Sequence, residues 1–415
     1  MTTVEVHVAI DGANVRAGTL FSHRNRNTES ATFTYDPQYL QHPGAYALDP
    51  LLPTLKGGGS FSTPVRQALF GAFTDCAPDR WGRTLLTRQE AAQARAEQRT
   101  ARSLGEVDYL LGVRDDLRQG ALRFRVGGGN FLATEATGVP DLTDLPSLLD
   151  LAARAEADTA DLADLQRLIR VGSSLGGARP KAHVRDTAGR IAIAKFPSTD
   201  RDTWNVMAWE KVALDLAAAA GIDVPGSQLL HLAGRNVLVL DRFDRTAAGD
   251  RIGYASAMTM LQATDGEQRS YLEIAEVIEE TSARAAEELA QLWRRIVFSV
   301  LISNTDDHLR NHGFLHDRDD VWQLSPAFDL NPDPAPGTTY LSTVIDPSDD
   351  RATLAVAMSV ADYFRLSPEA ARRIIGEVAT AVSHWQQVAA SHRLSAAEIG
   401  RMQPAFAELA AVTAL

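Results

Sequence analysis

Cysteine is nearly absent. Cys76 stands alone in 415 residues, so no intramolecular disulfide and no thiolate metal cluster can form, which favours a reducing, cytoplasmic setting. Long apolar runs are missing as well. No stretch approaches the roughly 18 residues of a membrane span, and Met1 to Gly12 alternates polar and apolar residues without the basic start or apolar length of a signal peptide. No membrane association is expected. Positive charge is in deficit, with 41 Lys and Arg against 53 Asp and Glu and a formal net charge of −12. A protein that grips duplex DNA through its own surface shows the opposite balance. No heptad and no longer repeat recurs, which excludes collagenous, coiled-coil and solenoid folds. What is present, 45% hydrophobic and 23% charged residues, excludes global disorder and leaves room for two or three domains at roughly 150 residues each.

The first third reads as β-rich. Val4, Val6, Val8 and Ile10 alternate with Glu5, His7 and Ala9, Asp11-Gly12 offers a turn, and a second alternating run follows through Val15 to Phe21, so a hairpin is expected. An Ala, Gln and Arg-rich stretch ending near Arg102 looks like a solvated helix. Residues 147–169 are helical in composition and period. A glycine-rich loop (172–177), two β-type segments (181–185 and 191–196), a helix around 204–220 and strands near 228–232 and 237–240 come next. Beyond residue 255 the pattern is almost wholly helical. Leu289, Leu292, Ile296 and Val300 share one apolar face, Ser367-Pro368-Glu369 opens a helix, and Ser395 to Glu398 fits a capping box.

The segment 303–330 carries the clearest chemistry. Asp306 is followed five residues later by Asn311 and, eighteen further on, by Asp329 after Phe328. Phosphoryl transfer needs one carboxylate to accept a hydroxyl proton, plus an amide oxygen and a second carboxylate to hold Mg²⁺ against phosphates. The Asp-x4-Asn spacing matches the catalytic loop of protein kinases, and Phe-Asp-Leu stands where Asp-Phe-Gly would. Each residue alone also fits a turn or helix cap. His308, His312 and His316 recur every four residues and raise a competing zinc reading. Leu309 occupies the place of the glutamate that zinc proteases need, and Gly313 interrupts any helix. His308 fits better as a brace of the loop or a phosphate contact.

Upstream, Gly172-Ser-Ser-Leu-Gly-Gly-Ala-Arg-Pro-Lys181 can cradle phosphate with its backbone N–H groups and end in a positive charge. It also fits a plain glycine-rich connector. It is neither a Walker A loop nor a dinucleotide fingerprint, because no Gly-Lys-Ser/Thr closes it and strands follow it. Ile191-Ala-Ile-Ala-Lys195 ends a strand in a lysine placed to reach the phosphates of ATP, and Glu210 on the following helix is its candidate partner. An exposed lysine and a surface glutamate are the plain alternative. Asp241-Arg-Phe-Asp-Arg245 either connects two lobes beside adenine or is a charged strand exit.

Together these motifs resemble the HipA family of bacterial serine/threonine kinases. The matching segments are Ser174-Leu-Gly-Gly-Ala-Arg-Pro-Lys181, Ala194-Lys195-Phe196-Pro197, Asp241-Arg-Phe-Asp-Arg245, Asn304-Thr-Asp-Asp-His-Leu-Arg-Asn311, Ser325-Pro-Ala-Phe-Asp-Leu330 and, in the amino-terminal subdomain, Pro78-Asp-Arg-Trp-Gly-Arg83. Arg179-Pro180 stand where well-known members carry Gln-Glu. The resemblance implies an α+β, bilobal protein-kinase-like fold, with a β-rich N-terminal lobe bearing an extra subdomain and an all-helical C-terminal lobe. The expected division is 1–105 for the amino-terminal subdomain, 106–245 for the rest of the N-lobe and 246–415 for the helical lobe.

The resemblance further implies Asp306 as catalytic base and Asn311 and Asp329 as Mg²⁺ ligands. ATP contacts would come from Gly176, Gly177, Ala178, Arg179, Pro180, Lys181, Lys195, Glu210, Asp241, Arg242, Phe243, His308 and Phe328, as well as from Asn311 and Asp329. Ser174, with Ser173 beside it, would be autophosphorylated. A HipB-like helix-turn-helix antitoxin is the implied partner, with DNA contacted only through it, and the implied substrate is a protein such as an aminoacyl-tRNA synthetase. A kinase-shaped corepressor with little catalytic role and a small-molecule phosphotransferase are the alternatives.

Overall fold

The alternating valines close into a hairpin, as the pattern predicts. Strands β1 (Thr2–Ile10) and β2 (Ala13–Asn25) pair antiparallel with Val8 opposite Val15 and Ile10 opposite Ala13. The turn needs two positive-φ residues, and Asp11 and Gly12 supply them at φ 48° and 75°. This is a computed structural model, and it describes residues 2–25, 28–54, 58–131, 138–172, 179–317, 321–335 and 340–414. The chain divides into two units, the first comprising Met1–Arg201, Asp241–Ala255 and His316–Asp320, the second Asp202–Leu240, Ser256–Leu315 and Val321–Leu415.

In the first unit β3 (Thr28–Tyr35), β4 (Ser60–Ser62) and β5 (Leu122–Arg125) complete an antiparallel sheet of order β4-β3-β2-β1-β5. Val4, Val6, Val8, Phe33 and Phe124 on its inner face are fully buried. Phe73, on the short helix α1 (Gly71–Asp75), meets Phe33 and Phe124 edge-on at ring separations of 5.6 and 5.7 Å. Under this cluster lies a buried cation. Arg118 stacks on Phe124 at 4.7 Å and donates to the carbonyls of Cys76, Leu110 and Val113 at 2.7, 2.9 and 3.0 Å. Burial pulls its pKa down to about 10, so it stays charged at neutral pH. Arg118→Met keeps the stem but leaves these carbonyls buried without a donor. It should lower the unfolding free energy by about 2–4 kcal/mol in denaturant titration. A loss below 0.5 kcal/mol would show that water replaces the guanidinium.

The Ala, Gln and Arg-rich stretch is helical as far as the end of α2 (Arg80–Ala96) and is mostly exposed or half-buried there, while the start of the same helix buries Trp81, Leu85 and Leu86. After α3 (Glu106–Gly112), residues 147–169 prove to belong to two helices, α4 (Leu145–Glu156) and α5 (Leu162–Gly172), with Asp158 at φ 56° turning the chain between them. The hairpin of β6 (Lys181–Arg185) and β7 (Ile191–Lys195) follows, with Lys181 opposite Lys195.

The second unit begins with α6 (Val206–Ala219) and the hairpin of β8 (Ser227–Leu232) and β9 (Arg235–Asp241), whose last residue is counted with the first unit. The helices α7 (Ala257–Met260), α8 (Tyr271–Thr281) and α9 (Ala285–Leu301) come next. Leu289, Leu292 and Ile296 of α9 are fully buried and Val300 nearly so, which realises the apolar face read from their spacing. Trp209 packs near Trp385 and Phe406, which stack at 4.2 Å. Ser367 caps the helix Pro368–Ser383. Ser395 caps its helix through Glu398 N, but the reciprocal half of the expected box is replaced: Glu398 accepts from Trp209 Nε1 at 3.4 Å. Short strands at Gly313–His316 and Trp322–Leu324 interrupt the helical pattern. Among the described residues no helix is long and apolar enough to cross a membrane.

Candidate active site

α9 delivers the chain into the motif segment. Ser303, at φ 50°, turns it, and the next residues are tied down one after another. Asn304 Oδ1 accepts from the backbone N of Asn331 at 3.0 Å. Thr305 donates to Asp333 Oδ2 at 2.9 Å, and its carbonyl accepts from the Ser342 hydroxyl at 2.9 Å. The two halves of the motif, separated in sequence, are thus hydrogen-bonded to each other at Asn304 and Thr305.

The adjacent aspartates then part company. Asp306 is exposed, while Asp307 is buried. The Asp306 carbonyl accepts from His308 N at 3.0 Å and from Asn311 Nδ2 at 3.0 Å. Asn311 N bonds back to the His308 carbonyl at 2.8 Å, closing a tight turn. The turn holds the Asp306 backbone through its carbonyl. Asn311, buried, spends its amide nitrogen on this clamp, so Oδ1 is the atom its side chain can turn to a cation.

Asp307 points into a buried polar nest. Oδ2 accepts from the Tyr271 hydroxyl and, at 3.1 Å, from the Ser299 hydroxyl. His312 Nε2 lies 3.0 Å from Oδ1. Burial drives the Asp307 carboxyl upward, but the adjacent His312 and the two hydroxyls outweigh it and hold it below the usual carboxylate range. Burial and the neighbouring carboxylate push the Tyr271 phenol well up, so it remains a donor.

Asp329 adopts a left-handed backbone at φ 59°, which aspartate tolerates better than most residues and which a functional site can impose. Its flanks are anchored, with Ala327 N donating to the Asp223 carbonyl at 2.7 Å and Asn331 N held by Asn304. Phe328 and Asp329 are half-buried. Asn311 Oδ1 and the Asp329 carboxylate are hard oxygen donors of the kind Mg²⁺ takes alongside phosphate and water. Among the described residues no group of three or more His, Cys, Asp or Glu gathers as a metal cage. The histidine series does not converge either. His312 sits against Asp307, whereas His316, in the first unit, stacks on Tyr46 at 3.7 Å.

Lys195, half-buried at the end of β7, belongs to the first unit, and Glu210, buried on α6, belongs to the second. Lys181 is buried and ion-paired with Asp79 at 2.5 Å. Pro180 is buried and its carbonyl accepts from Phe196 N at 2.9 Å, while Arg179 is half-buried. Ser173, Ser174, Gly176, Gly177 and Ala178 lie outside the described residues. The Asp241–Arg245 segment is a structural knot. Arg242 forks onto Asp244 at 2.8 and 2.6 Å and donates to the Leu117 and Arg118 carbonyls at 2.8 and 3.0 Å. Asp244 also accepts from Gly120 N and Arg245. Burial opposes ionisation of Asp244, but the Arg242 and Arg245 charges prevail and keep its carboxyl far below the usual range. Asp241 is exposed at its side chain, 3.8 Å from Arg190.

Sequence reasoning alone assigns no role to Tyr271, places Asn304 and Asp79 only within matching segments, and reads Asp307 no further than as a helix or turn cap. The Asp306-Asp307 doublet was a signal that two carboxylates had separate tasks. Asp79 sits inside the singled-out Pro78–Arg83 segment, but its partner is distant in sequence.

The HipA-like C-terminal domain profile matches residues 173–385. "Putative kinase Y4mE" of Sinorhizobium fredii is 27% identical over 148 residues, 33% of this chain and 33% of that protein. "Putative kinase Y4dM" of the same organism is 30% identical over 152 residues, 33% of this chain and 36% of that protein. The matches thus span about a third of the length of these curated relatives. A chain of the Shewanella oneidensis MR-1 toxin-antitoxin complex of HipA, HipB and its operator DNA superposes with a TM-score of 0.65 at 15% identity. That superposition covers 99% of this chain and 96% of that one, a likeness of fold.

Proposed function

This chain belongs to the HipA family of kinases, and from that premise we propose that it is an ATP- and Mg²⁺-dependent serine/threonine protein kinase that also phosphorylates its own Ser174 or Ser173. The observation that carries the reading is the divergence of the two aspartates: a clamped turn presents Asp306 to solvent while Asp307 is sealed beneath it. A carboxylate so held can accept the proton of an incoming hydroxyl. Asn311 Oδ1 and Asp329 would hold Mg²⁺, which when bound neutralises charge on the transferred phosphate. Lys195 supplies positive charge toward the nucleotide phosphates, needed in a chain of net charge −12.

The partner we propose is a HipB-like helix-turn-helix protein through which DNA is contacted, in keeping with the acidic composition. The substrate we propose is a protein of translation, such as an aminoacyl-tRNA synthetase. Purified protein incubated with Mg²⁺ and labelled ATP should gain phosphate, mapped by mass spectrometry to Ser174 or Ser173. Intact protein that binds no ATP and gains no label overturns the reading. Retention of operator DNA by the chain alone, without the small partner, would overturn the indirect-contact proposal.

A further inference from the structure

The amino-terminal Pro78–Arg83 segment reaches the strand that follows the glycine-rich loop through the contact of Asp79 with Lys181. Lys181 is the first residue of β6, and its side chain and that of Asp79 are 2% and 3% exposed. Asp79 Oδ2 takes the lysine at 2.5 Å, while Oδ1 caps α2 by accepting from Gly82 N at 2.7 Å. Burial raises the Asp79 carboxyl even against the lysine's charge, which marks how dry the site is. Lys181 stands directly opposite Lys195 in the antiparallel register. Residues so placed share a face with Cβ atoms about 5 Å apart, where like charges repel.

We propose that Asp79 and Lys181 are a positioning pair for nucleotide binding: Asp79 neutralises Lys181 and fixes the start of β6, leaving Lys195 as the cation directed to the phosphates. This rests on the kinase reading given above. Lys181 is then a structural cation rather than a phosphate ligand, and the amino-terminal subdomain contributes to the ATP site through it.

Removing one partner leaves a buried charge uncompensated, whereas removing both need not cost stability. Asp79→Asn retains the helix cap but strands Lys181 beside Lys195. Lys181→Met strands Asp79, which then competes for Lys195. Each single variant should weaken ATP binding by about tenfold or more and lower Tm by roughly 10 °C. The double variant Asp79→Asn/Lys181→Met should return to within about threefold of wild-type affinity and recover most of the Tm. ATP affinity is read by calorimetry, with KM and kcat measured separately; the single variants should move KM more than kcat.

A double variant that recovers Tm but binds ATP as weakly as Lys181→Met overturns the proposal, because Lys181 would then be a phosphate ligand. So would additive Tm losses across the cycle. Wild-type protein that binds no ATP overturns the kinase reading instead, and the Tm cycle still decides whether the pair is coupled.

Discussion

Asp306→Asn should slow phosphoryl transfer by roughly 10² to 10⁴ while leaving the fold and ATP affinity unchanged. The side chain is exposed, and the turn that carries it is closed on its carbonyl by His308 N and Asn311 Nδ2, so an isosteric amide disturbs neither bond. Surface changes of this kind stay within about 0.5 kcal/mol in stability. What is lost is the proton acceptor. Single-turnover transfer of labelled phosphate, set beside a thermal melt and calorimetric ATP binding, separates the effects. A variant that transfers at the wild-type rate would remove Asp306 from the mechanism. One that melts early would mean that its carboxylate holds the loop.

The elements that the sequence makes legible are those with a local cause. The Asp11-Gly12 hairpin, the β6–β7 pair and the α9 face follow from turn chemistry and periodicity, which neighbouring residues determine. The Asp306-x4-Asn311 turn is legible for the same reason, because its bonds run within six residues. Partners far apart in the chain are not. Nothing near Lys181 announces Asp79 about a hundred residues earlier, and its place after a glycine-rich loop reads equally well as a phosphate contact. Arg242 and Asp244 read as a charged strand exit, yet their partners at Leu117, Arg118 and Gly120 make them a buried anchor.

Asp307→Ala should cost about 3–5 kcal/mol of stability, because it leaves the Tyr271 and Ser299 hydroxyls buried without their acceptor and removes the carboxylate beside buried His312. Activity should fall with it, since the Asp307 backbone is part of the turn that presents Asp306 and its carbonyl accepts from Thr343 N at 3.2 Å. Asp307→Asn isolates the charge. The folded carboxyl is held below the value it has in the unfolded chain. Its stabilising contribution is therefore complete above the ordinary aspartate range near pH 4 and is lost as pH falls through the lower folded value. Denaturant titrations from pH 7 down to about pH 2 should show wild type losing stability more steeply than Asp307→Asn over that acid window, with the two curves parallel above about pH 5. Curves that stay parallel throughout would mean that the carboxylate is not ionised in its nest. Tyr271→Phe would then be expected to cost no more than a neutral hydrogen bond, about 1 kcal/mol, instead of the roughly 1.5–3 kcal/mol of a hydroxyl bonded to a charged acceptor.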